Sequence, residues 1–155
     1  LIALDDRRVI GGLRLYPTLL PHMISEEFPH LVEGAIIQRP DVMEWTRFAI
    51  CRERRRSTTY SELLAAMQEY GLMEGLSGVT AVIRTHRVRA MQAAGCTVLP
   101  LGLPHDIGGE SCVALYFEIG EDVLDRIREV GGLPGSVLDP DPRLPSRDVD
   151  VKINQ

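Results

Sequence analysis

At 155 residues, 45% of them apolar and 25% charged, the chain is long enough for one globular domain with a real core, and nothing in its composition marks overall disorder. A net charge of −5 removes the basic face that phosphate neutralisation needs, which argues against a general nucleic-acid binder. No apolar run approaches the roughly 20 residues of a membrane span, and no charged-then-apolar leader is present, so the expected protein is soluble with no membrane partner.

The chain opens on strand-like residues, Leu1-Ile2-Ala3-Leu4, with no initiator Met and no lead-in, as a sequence does when it starts inside a fold. Residues 1–5 and 9–16 read as two strands of a hairpin around the polar turn Asp6-Arg7-Arg8. A period of two puts Arg14 on the face of Ile10, Gly12 and Tyr16, and the Gly11-Gly12 pair permits a bulge or a close backbone approach. Residues 21–31 read as a short helix on Met23, Ile24, Phe28 and Leu31, ended or kinked by Pro29. His22 and His30 lie too far apart for an i, i+4 metal pair and are expected in solvent. Residues 33–41 are a connector.

The most informative stretch is Val42-Met43-Glu44-Trp45-Thr46-Arg47-Phe48-Ala49-Ile50. It carries a carboxylate, a hydroxyl and a guanidinium within four positions of a segment rich in β-formers, and buried charge is too costly to keep without a partner or a use. Either Glu44 and Arg47 form a surface ion pair on an edge strand, or they belong to a site. The run Arg52-Glu53-Arg54-Arg55-Arg56 is either a solvated turn or a docking patch for an acidic carrier protein or for coenzyme phosphates. Arginine is the default cation here, since Lys152 is the one lysine among 17 basic residues.

Residues 59–75 form the clearest helix, with an apolar stripe of Leu63, Leu64, Met67, Tyr70 and Met73, a cap from Thr59 or Ser61, and Gly71 or Gly75 at its end. Residues 79–83 are a buried strand feeding Arg84-Thr85-His86 and a basic amphipathic helix over 87–94, stopped by Gly95. Arg84 and Thr85 thus sit at a strand's carboxyl end, a favoured ligand position in α/β folds, unless Thr85 only caps the helix. A short strand over 98–103, a Gly-rich loop over 104–110 without a phosphate-binding pattern, a strand over 112–119 and a helix over 121–130 follow. From Gly131 onward, prolines at 134, 140, 142 and 145 among charges describe an extended appendage, packed along the surface or against a partner. Cys51, Cys96 and Cys112 lack CxxC spacing, so neither a zinc site nor a disulfide framework is expected; they read as buried thiols of a cytoplasmic protein.

Gly11-Gly12-Leu13-Arg14-Leu15-Tyr16-Pro17-Thr18 and Glu44-Trp45-Thr46-Arg47-Phe48 together resemble the signature of the acyl-homoserine-lactone synthases, the LuxI-type quorum-signal enzymes. The likeness runs from Leu1 to about Val130 and includes the order of elements. It implies an α/β (α+β) fold similar to the GNAT acetyltransferases: a splayed mixed β-sheet flanked by helices in three α-β-α layers, with an acyl tunnel. Residues 1–130 would be the synthase domain and 131–155 a Pro-rich extension. The family's N-terminal segment, which closes over S-adenosylmethionine, is absent from these 155 residues.

The resemblance also implies quorum-sensing signal synthesis. The amine of S-adenosylmethionine, a cosubstrate, attacks an acyl thioester of coenzyme A or acyl-carrier protein, and ring closure then releases methylthioadenosine; no metal or tightly bound cofactor takes part. Glu44, Arg14 and Arg47 are the implied catalytic residues. Glu44 is the base, directly or through a water, Arg14 orients it, and Arg47 pairs with the methionine carboxylate or the acidic lid. Trp45, Thr46, Phe48, Arg84 and Thr85 shape the substrate sites, with Trp45 and Phe48 favouring a short, branched or aromatic acyl group. Arg52, Arg54, Arg55 and Arg56 would dock the carrier or coenzyme, and Pro100-Leu101-Gly102-Leu103-Pro104 resembles the coenzyme A-using branch. Positions 44 and 47 have opposite parity, so either a β-bulge lies between them or they act on two faces. Two other readings compete: a GNAT-type acyl-CoA-dependent N-acyltransferase, which would want glycines after Ile83, and a noncatalytic ligand-binding domain, in which Glu44→Gln would leave function intact.

Overall fold

A computed structural model describes residues 1–55 and 57–139. Seven strands form one mixed sheet in the order β1-β2-β3-β4-β7-β5, with β6 also paired to β7. β1 (Ile2–Asp5) and β2 (Arg8–Pro17) are the expected hairpin, closed by a tighter two-residue turn in which Asp6 and Arg7 both have positive φ. β2 runs antiparallel to β3 (Val42–Ile50), and β3 runs parallel to β4 (Gly78–Arg84). β4 is antiparallel to β7 (Glu110–Glu118), whose far edge carries β5 (Val98–Pro100) and β6 (His105–Ile107).

Among the described residues, four α-helices complete the order of elements expected from the sequence. α2 (Thr59–Met73), α3 (Thr85–Ala93) and α4 (Glu121–Gly131) cover one face, where Leu63, Leu64, Met67, Val79, Leu115, Phe117 and Ile127 form the main core. The other face carries α1 (Met23–Glu26) and a 3₁₀ turn at Pro29–Leu31, whose Ile24 and Leu31 pack on Ala114 of β7. No helix among the described residues is long and apolar enough to cross a membrane.

Several expectations are corrected by this arrangement. The helix expected over 21–31 is cut to one turn, because Pro29 cannot extend it and restarts the chain as 3₁₀. His22 is buried, not solvated. Met73 leaves the apolar stripe of α2 and is 59% exposed. Neither Thr59 nor Ser61 caps α2: the N-cap is Thr58, whose hydroxyl donates to the Glu62 carboxylate instead. The loop over 104–110 contains β6, joined to β7 through Gly108 and Gly109, whose φ values of 61° and 86° suit a two-residue hairpin turn. Cys96 and Cys112 are buried as expected and Cys51 partly so; burial pushes the Cys96 thiol up to about 12.

The C-terminal extension packs along the surface as far as residue 139; residues 140–155 lie outside the described residues. Leu133 and Val137 reach the core, and Glu69 of α2 anchors the segment. Its carboxylate accepts hydrogen bonds from Arg128 (2.8 Å), the Ser136 hydroxyl (2.8 Å) and the amides of Val137 (3.1 Å) and Leu138 (2.7 Å). Burial works to raise the Glu69 carboxyl, but these donors outweigh it and hold the group below its ordinary 4.5. A folded-state pKa below the unfolded one stabilises the fold above the unfolded value and ceases to as pH falls through the folded one. Glu69→Ala is therefore expected to cost about 2 kcal/mol at neutral pH in denaturant titration, and to abolish part of the parent's loss of stability in acid.

A Cβ on Gly78 would lie 2.1 Å from the Tyr116 ring, whose hydroxyl donates to Ser77 Oγ at 3.1 Å. Gly78→Ala must displace that ring, and an expected loss of about 1–3 kcal/mol is measurable as a lowered melting temperature.

Candidate active site

The ladder between β3 and β4 lasts three residue pairs, Val42↔Gly78, Met43↔Val79 and Glu44↔Thr80, although both strands continue beyond it. Past Glu44 the sheet splays. The Val42 carbonyl accepts from the Thr18 amide and the Cys51 amide donates to Ile10, so alternation directs the backbone groups of Phe48 and Ile50 away from β2. Among the described residues, no strand pairs with that edge of β3 beyond Glu44.

The expected bulge is present and falls at Arg47. Arg14 pairs with Thr46 and Gly12 with Ala49, so Arg47 and Phe48 together oppose Leu13, and Arg47 takes φ 56°. The extra residue resolves the parity problem. Phe48 packs into the main core, while Arg47 lines a shallow depression of about 440 Å³ on the opposite face with Arg14, Gly12 and Ala49. Arg47 thereby joins Arg14, which its pairing with Thr46 already places on the face of Glu44.

Glu44 is 1% exposed in spite of its charge. Its Oε2 accepts the Met23 amide at 2.9 Å and its Oε1 the Ile24 amide at 2.8 Å, so the first turn of α1 satisfies the carboxylate. Register places it between Tyr16 of β2 and Thr80 of β4. The contact expected from Arg14 differs: its Nε donates to Thr46 Oγ1 at 2.9 Å and its guanidinium lies 5.5 Å from the Tyr16 ring centroid. Neither arginine bonds Glu44 among the described residues. Thr46 is thus an arginine holder rather than a free hydroxyl.

Aromatic rings fill the core side of the splayed strand. Trp45, 3% exposed, meets Phe117 at 5.2 Å and Phe48 at 5.3 Å, and Phe48 meets Tyr60 at 5.6 Å, all edge to face. Burial pushes the Tyr60 phenol up to about 12. Arg84 is exposed and lies 3.8 Å from Glu110, while the Thr85 hydroxyl donates to the Ser111 carbonyl at 3.3 Å rather than capping α3. Thr85 also lines a cavity of about 380 Å³ with Val88, Gln92, Val113 and Leu115, apart from the Glu44 face.

The arginine run after β3 is a 3₁₀ turn, Arg52–Arg54. Arg54 is paired with Asp5, Arg52 and Arg55 are exposed, and Arg56 lies outside the described residues. The Glu53 carboxyl is held low by its own backbone amide and by Cys51, and then by Arg8 and Arg55. Sequence reasoning missed the Met23 and Ile24 amides, Tyr16, Thr80 and the burial of His22. Pro21-His22 ahead of an apolar run was the one available signal for where α1 begins.

Comparison with known proteins agrees with this architecture. The family model for autoinducer synthases matches residues 1–127. An isovaleryl-homoserine lactone synthase of Bradyrhizobium diazoefficiens is 40% identical over 146 residues, spanning 93% of this chain and 66% of that protein. BjaI, a CoA-dependent acyl-homoserine lactone synthase solved with MTA and also with SAM and isopentyl-CoA, superposes with a TM-score of 0.84 at 39% identity, covering 92% of this chain and 68% of that one. A putative N-acetyltransferase from Lactobacillus plantarum, at 19% identity and TM-score 0.55 over 76% of this chain and 65% of its own, shares the fold alone, as expected of a GNAT-like sheet. The chain belongs to the autoinducer synthase family.

Proposed function

We propose that this protein makes an N-acyl-L-homoserine lactone from S-adenosylmethionine and an acyl-CoA. The observation that carries the reading is the splayed, bulged β3, which puts a buried carboxylate and two arginines on one face beside the point where the β3–β4 ladder ends. The amine of S-adenosylmethionine gives up its proton to Glu44, directly or through a water, and attacks the thioester carbonyl. Strand-edge amides such as that of Phe48 suit the oxyanion; the C–S bond then breaks and the thiol leaves with a proton. The methionine carboxylate next forms the ring C–O bond as the sulfonium C–S bond breaks, releasing methylthioadenosine. Arg14, braced by Thr46, and Arg47 present guanidinium groups that fit that carboxylate.

Coenzyme A as donor is supported by the likeness to BjaI, and the exposed Arg52 and Arg55 suit its phosphates. A short branched acyl group is supported by the isovaleryl-homoserine lactone synthase relative and by the rings of Trp45, Phe48 and Phe117 that crowd the core side of β3. Acyl-carrier protein is the alternative donor, and cytoplasmic signal synthesis follows from either. The test is mass spectrometry after incubating the complete protein with S-adenosylmethionine and a panel of acyl-CoA and acyl-carrier-protein thioesters. An acyl-homoserine lactone appearing with methylthioadenosine is the expected result; acyl transfer without methylthioadenosine would replace this reading by a GNAT-type N-acyltransferase.

A further inference from the structure

The buried imidazole of His22 has no part in the chemistry above, yet it sits at the N-cap of α1, next to the two residues whose amides hold Glu44. It is 5% exposed. Its Nδ1 lies 3.0 Å from the Leu20 carbonyl oxygen, and since a carbonyl only accepts, Nδ1 carries the proton. Its amide donates to Ser25 Oγ at 2.9 Å, and its carbonyl accepts the Glu26 amide at 2.9 Å. α1 is one turn long and has little helical stability of its own. The bonds made by His22 at the turn's entrance, together with the packing of Ile24 on Ala114, hold the direction of the Met23 and Ile24 amides.

Resting on the synthase reading of Glu44, we infer that His22 is a positioning residue: its Nδ1–H to the Leu20 carbonyl locks the first turn of α1 so that two amides grip both oxygens of Glu44. Each oxygen then has one lone-pair direction spent on α1, which orients the remaining ones for the substrate amine. A carboxylate free to rotate about its last torsion would hold that geometry for a fraction of the time, which lowers turnover more than substrate affinity.

The variants His22→Ala and His22→Asn separate this from a packing role, because the Asn side-chain amide can replace the Nδ1–H donor while giving up the ring. In the complete protein, His22→Ala is expected to lower kcat by about 10- to 100-fold with the KM for the acyl thioester unchanged, and His22→Asn to restore most of it. Combined with Glu44→Asp, whose shorter side chain already leaves the clamp, His22→Ala should add no further loss. Hydrogen exchange supplies a readout independent of activity: protection of the Met23 and Ile24 amides should fall in His22→Ala and return in His22→Asn. Multiplicative losses in the double variant, or unchanged protection of those two amides, overturn the inference. A parent protein that releases no methylthioadenosine with any thioester would instead overturn the synthase reading, while the exchange measurement would still decide whether His22 sets the clamp.

Discussion

Glu44→Gln is expected to lower the rate of methylthioadenosine release by about 10²- to 10⁴-fold, the contribution of one well-placed base. The substitution keeps the shape of the side chain but not its chemistry. The carboxylate accepts two amide hydrogens, one on each oxygen, whereas a side-chain amide accepts on one side and must turn its NH₂ toward an N–H donor on the other. That mismatch costs about 1–3 kcal/mol, within the roughly 5–15 kcal/mol stability of an ordinary domain, so the variant should fold. Circular dichroism and coupled release assays on the same preparation check both halves. A folded variant with a rate close to the parent's would remove Glu44 from the chemistry and favour a ligand-binding domain.

Trp45→Ala carries the largest expected loss of stability, about 3–5 kcal/mol. The indole is buried between Phe117 and Phe48, both met edge to face, and it borders the region where β3 and β4 separate and strand pairing no longer fills the space. Truncation leaves a cavity that the rigid sheet cannot close. The chain has one tryptophan, so its fluorescence disappears with the substitution, and the loss is read by thermal or denaturant unfolding followed through circular dichroism. Trp45→Leu keeps more of the packing and is expected to remain folded while admitting longer acyl chains. An unchanged acyl profile in that variant would place the acyl group away from these rings.

Much of the fold was legible because it rests on local patterns. The hairpin, the strand Val42–Ile50, α2 and α4 each announced themselves through periodicity and through turn residues at their ends. β6 was hidden because three residues hold too little pattern, and Gly108-Gly109 reads as a loop until a partner strand is known. Met23, Ile24, Phe28 and Leu31 keep helical spacing across Pro29 while the backbone does not, so spacing alone extends α1 too far. At the site, the residues themselves, Arg14, Glu44 and Arg47, were visible as charges set into strands.

By itself, then, the sequence determined the order of elements, the charges that the strands must accommodate and, through opposite parity at 44 and 47, that the ladder had to break if those groups were to share a face. Only the tertiary structure decided how each charge is satisfied. Register set Tyr16 and Thr80 beside Glu44, the bulge opposite Leu13 turned Arg47 onto the same face, and the docking of α1 gave the carboxylate two amides from residues some twenty positions earlier in the chain. Local propensity acts over a turn or a pleat, but a buried charge is satisfied by whichever donors the packed chain brings within about 3 Å, and that distance is fixed only when the sheet and its helices close on one another.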